Sequence, residues 1–126
     1  MNEALPEVVR PWGRERVLAS GPGVQVKLII LEPGKSTPVA HHARRVEQWT
    51  ILSGGGRVFH GWDPKRLTRL DLMTQNGFTL DHLEWYKVVA HGAGSAPMVA
   101  LVVSFGQSLA EDDFEYAEPA AAGVPA

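Results

Sequence analysis

The chain has 126 residues, a formal charge of -2, five histidines and no cysteine. The length suits one domain around one core, and the missing cysteine excludes disulfides, thiolate zinc sites and a cysteine nucleophile. So mild a charge is not that of a nucleic-acid binder, and no apolar run reaches the roughly 18–20 residues of a membrane span.

The start, Met1-Asn2-Glu3-Ala4-Leu5-Pro6, lacks the basic-then-apolar plan of a secretory signal, so a cytoplasmic protein is expected. Residues 1–9 read as an arm whose apolar side chains, with Trp12, need a partner surface; a homodimer is the expected source. Gly21-Pro22-Gly23 marks a turn, and Val24 to Leu31 (VQVKLIIL) is a strand by length and β-branching. Glu32-Pro33-Gly34-Lys35 is a second turn, since proline cannot donate to a ladder. Val46 to Leu52 alternates Glu47, Trp49 and Ile51 against Gln48, Thr50 and Leu52. After the Gly54-Gly55-Gly56 turn come short strands at Arg57–Trp62, Leu67–Leu72, Phe78–His82 and Tyr86–Ala90. Met98–Phe105 (MVALVVSF) is the most apolar and should be central. A short helical turn is expected near Leu109–Asp113, and residues 119–126 as a flexible tail. Strands recurring every 8–12 residues, with no repeat and no long amphipathic helix, predict an all-β sandwich or barrel over residues 10–118.

Four stretches carry a resemblance: Arg10-Pro11-Trp12-Gly13, Leu31-Glu32-Pro33-Gly34, Glu47-Gln48-Trp49-Thr50-Ile51-Leu52-Ser53-Gly54 and Leu109-Ala110-Glu111-Asp112-Asp113-Phe114. In this order and spacing they resemble a cupin, and more narrowly the cupin domain of type II mannose-6-phosphate isomerases. The resemblance implies a single-domain double-stranded β-helix, a jelly-roll barrel. It also implies a divalent metal held by two histidines in H-x-H, a glutamate and a later histidine. Registered on Glu47, the first histidine is His42, but the second position holds Arg44 and the third Val88. A guanidinium has no lone pair to offer a metal and valine has no donor atom. No metal cofactor is therefore expected; His42 and Glu47 are the fallback ligands should one bind.

Arg44 is expected either to pair with Glu47 or to grip an anionic or carbonyl oxygen in the cavity; a solvated turn is the plain alternative, and the one favoured for Arg45. His42, Arg44, Glu47 and Tyr86 form the candidate catalytic set, with His42 or Glu47 moving protons and Tyr86 donating a proton or hydrogen bond. Trp49, His60, Trp62 and Val88 are candidate substrate-binding residues, though Trp49 also suits plain core packing. His41 and Gln48 should face away from His42 and Glu47. The expected function is a metal-independent cupin enzyme that isomerises, cyclises or dehydrates a small oxygen-rich substrate. A metal-dependent sugar isomerase and a non-catalytic small-molecule-binding cupin are the alternatives.

Overall fold

A computed structural model describes residues 7–92, 94–106 and 114–117. The described residues form eleven strands and no helix: β1 (Val8–Arg10), β2 (Gly13–Gly21), β3 (Val24–Leu31), β4 (Ala40–His42), β5 (Arg45–Ser53), β6 (Gly56–Gly61), β7 (Thr68–Leu72), β8 (Gly77–Leu80), β9 (Trp85–Ala90), β10 (Met98–Gly106) and β11 (Phe114–Tyr116). They assemble as two antiparallel sheets, ordered β1-β2-β3-β10-β5-β8 and β11-β4-β9-β6-β7. The expected all-β architecture is present, and β10 lies between β3 and β5 as its apolar sequence requires. The helical turn expected near Leu109–Asp113 and the tail at 119–126 lie outside the described residues. No helix among the described residues is long and apolar enough to cross a membrane.

Of the arm expected over residues 1–9, residues 1–6 lie outside the described residues. Val8–Arg10 pairs with Arg14 and its neighbours as a hairpin edge of the larger sheet. Trp12, at the turn, is buried in the core, while Val9 stays 81% exposed. Gly13 makes this possible: a Cβ there would collide with the Ile30 carbonyl oxygen. β2 escapes a sequence reading because its charges obscure the alternation. Glu15 lies opposite Ile29, whose side chain is buried, and Arg14 and Arg16 point the other way.

Ladder register sorts the interior into tiers. Ile51, Ala100 and Ile29 are cross-strand partners, and Val58 pairs with Val88; with Trp12, Leu31, Leu72 and Met98 they make an apolar region. Further along the strands, the same inward faces turn polar. Glu47 lies opposite Ser104, and Tyr86 lies opposite both Ala40 and His60. The carboxyl end of β4, the start of β5 and the start of β9 thus converge on one end of the barrel.

Candidate functional site

The inward face of β5 presents Arg45, Glu47, Trp49 and Ile51, all buried. A buried carboxylate needs partners, and Glu47 has four. Trp49 Nε1 donates to Oε1 at 3.0 Å and Ser104 Oγ donates to Oε2 at 3.2 Å. His42 Nε2 lies 3.4 Å from Oε1, and Arg45 Nη1 lies 3.7 Å from Oε2. The side chains of His42, Arg45 and Glu47 are 0%, 1% and 2% exposed, so the group is sealed from water. Burial alone raises the Glu47 pKa. The contact and charge of His42, the Lys27 ammonium and the Trp49 N–H outweigh burial and bring the carboxyl down to about 2. Glu47 is an anion at any physiological pH.

Tyr86 closes the cluster from the opposite sheet, its ring centroid 5.6 Å from that of His42 and 6.3 Å from that of Trp49. Burial, then the Glu47 charge, pushes its phenol well above the ordinary value, so it stays protonated and can donate. A second ion pair enters from the β2–β3 side: Lys27 Nζ lies 2.9 Å from Glu15 Oε1, and Arg10 Nε donates to Glu15 Oε2 at 2.6 Å. Burial raises the Glu15 pKa, but Lys27 and Arg10 lower it more.

The sequence-selected residues divide sharply. His42, Glu47, Tyr86 and Trp49 are brought together. Val88 is fully buried beside Val58, in the apolar tier. Arg44 is not in the cavity: it lies exposed in the β4–β5 turn, and its neighbour Arg45 holds the inward place. The physical reason is the pleat, which puts residue 45 on the face of residue 47 and residue 44 on the other. Trp62 is also corrected. It is 65% exposed beyond the end of β6 and lines no interior. His60 sits at the rim on the Tyr86 face, with Nδ1 2.8 Å from Glu84 Oε2. Gln48 is exposed. His41 faces out yet is covered: its ring stacks on Trp85 at 3.9 Å, and Nε2 lies 2.7 Å from Glu115 Oε1.

Sequence reasoning missed Ser104 and the Glu15–Lys27 pair, and placed Arg45 in a solvated turn. Parity with Glu47 was a usable signal for Arg45; Ser104 is reached only through long-range pairing, which no local pattern reveals.

The donor set does not fit the metal that cupin relatives hold. His42 and Glu47 are the two ligand-type side chains in the cluster, Arg44 is turned away, and Val88 offers no atom. Both Glu47 oxygens already serve protein donors, and a guanidinium stands where a cation would need space. Among the described residues no group of three His, Asp or Glu side chains converges on a point.

Comparison with known proteins places this barrel. Residues 2–118 match the family described as Mannose-6-phosphate isomerase C-terminal. The mannose-1-phosphate guanylyltransferase RfbM of Salmonella typhimurium is 31% identical over 107 residues, covering 85% of this chain and 21% of that protein. The alginate biosynthesis protein AlgA of Pseudomonas aeruginosa is 33% identical over 112 residues, covering 89% and 22%. The chain thus spans about a fifth of the length of the curated relatives it matches. Among solved structures, CapF of Staphylococcus aureus superposes with TM-score 0.78 at 16% identity, covering 93% of this chain and 35% of CapF. Oxalate decarboxylase of Bacillus subtilis superposes with TM-score 0.79 at 15% identity, covering 96% and 32%. These two share the fold. The matched motifs, the two-sheet barrel and the family match together show that this chain is a cupin domain belonging to the Mannose-6-phosphate isomerase C-terminal family.

Proposed function

We propose that this cupin moves a proton on a small oxygen-rich substrate without a metal, with isomerisation of a hydroxycarbonyl compound as the favoured reaction. The observation that carries the reading is the His42–Glu47–Arg45 cluster facing the Tyr86 phenol. In it His42 is the proton carrier at carbon. Glu47, anionic throughout, orients the imidazole and stabilises its protonated form. The Arg45 guanidinium and the Tyr86 hydroxyl supply positive potential and a hydrogen bond to the oxygen on which enolate charge develops. The arginine role expected of Arg44 passes to Arg45. The family description and the guanylyltransferase relatives favour a sugar phosphate as the substrate class.

One observation favours a second reading, a non-catalytic module: the cluster is closed to water, as a structural ion pair would be. Turnover separates the two. Chelator-dialysed protein is incubated with mannose 6-phosphate in D2O, and NMR follows both product formation and deuterium entry at carbon. The expected result is exchange that survives dialysis and falls at least about 100-fold in His42→Asn. Exchange that appears only with added divalent metal, or that is unchanged in His42→Asn, overturns the reading. No exchange in the wild type supports the non-catalytic alternative.

A further inference from the structure

The His60–Glu84 pair stands apart from the sealed cluster and is built differently. Glu84 Oε2 lies 2.8 Å from His60 Nδ1, and Oε1 accepts the Asp81 N–H at 2.9 Å, so the carboxylate is fixed at both oxygens. The Glu84 side chain is 10% exposed and that of His60 is 34% exposed, which puts the imidazole at the solvent boundary. A carboxylate at Nδ1 selects the tautomer with its proton there and leaves a lone pair on Nε2. Nε2 makes no hydrogen bond among the described residues. The ring stands on the inner face of its sheet. Val58, two residues earlier, is fully buried, and Tyr86 is the ladder partner of His60. Directly opposite residues carry Cβ atoms about 4.5–5.5 Å apart. The His60 and Tyr86 side chains therefore leave neighbouring points on the inner face of the same sheet.

We infer that His60 is a second catalytic acid–base group, at the rim of the barrel, held in register by Glu84 as a positioning residue, and that it serves the oxygens of a hydroxycarbonyl substrate while His42 serves the carbons. The inference rests on the proton-transfer reading above. Conversion of a 2-hydroxyaldehyde to a 1-hydroxyketone needs two proton movements. One proton leaves C2 and one arrives at C1. A hydroxyl proton leaves O2 and one arrives at O1. His60 Nε2 takes the O2 proton as the O2–C2 bond becomes a carbonyl, then returns a proton to O1. Nδ1–H stays with Glu84 throughout, and no oxidant or reductant enters.

The test uses the full chain with mannose 6-phosphate in D2O, measuring product formation and carbon exchange separately. His60→Asn is expected to lower kcat for product about 100-fold with little change in KM. It should also raise the ratio of carbon exchange to product, because His42 still works. Glu84→Ala should lower kcat about 10-fold, with partial recovery in Glu84→Gln, whose amide oxygen can still accept from Nδ1. Imidazole nitrogen NMR of the wild type should show Nδ1 of His60 protonated. A bare Nδ1 overturns the inference even where a variant fails to fold. Wild-type product rates in a folded His60→Asn, with His42→Asn inactive, overturn it and leave the proton-transfer reading standing. No carbon exchange in the wild type overturns both.

Discussion

Replacing Arg44 with Ala alters an exposed turn residue and is expected to change the unfolding free energy by no more than about 1 kcal/mol, the range of exposed charge interactions. Arg45→Ala removes the buried partner of a buried carboxylate and should cost on the order of 3 kcal/mol. Urea denaturation of the two variants checks the assignment, and similar losses would contradict it. Glu47 carries a pH dependence with a definite sign. Its carboxyl holds a proton less tightly in the folded chain, at about 2, than at its ordinary value of 4.5. The stability it contributes is complete above pH 4.5 and is lost as the pH falls towards 2. The span amounts to on the order of 3 kcal/mol. Glu15, also lowered, acts in the same direction. A urea series from pH 6 to pH 2 should show this decline, and Glu47→Gln should flatten it. At this scale the sequence was half legible. His42 and Glu47 were found by motif spacing, whereas Arg44 was chosen by counting from a motif and Arg45 passed over. The pleat decides which of two adjacent arginines enters a barrel, and it starts where the strand starts, one residue earlier than the alternation alone revealed.

At the scale of elements, the strands found from sequence were those with apolar runs or alternation, such as β3, β5 and β10. Those missed were β1, β2, β4 and β11, which are short, charged or edge-placed. β2 is set by the hairpin it forms with β3, and β11 pairs with β4, which is distant in sequence. The first hairpin gives a direct check. Trp12 sits in the core cluster, so Trp12→Ala should destabilise by about 3–5 kcal/mol, a loss that an arm lying free of the barrel would not produce. Thermal or urea unfolding measures it. Gly13 reinforces the point, because the close approach it allows to Ile30 brings β2 onto β3 right after that tryptophan.

Across the whole molecule, the barrel is polarised. Aliphatic tiers hold the sheets together at one end, and ionisable groups face one another at the other. The family supplies the scaffold, and the polar end gathers His42, Arg45, Glu47 and Tyr86. β4 has a particular place in this plan. It is three residues long, meets β9 through the Ala40–Tyr86 pair, and is bordered on its other side by β11, with Phe114 opposite His42 and Glu115 reaching His41. The strand that presents His42 is thus flanked by one of the last described segments of the chain. During synthesis, every ionisable side chain of the cluster leaves the ribosome before the segment that braces its histidine. A nascent chain halted short of Phe114 would hold all the ingredients of the site without the edge that fixes His42, so the site matures only as this late strand docks.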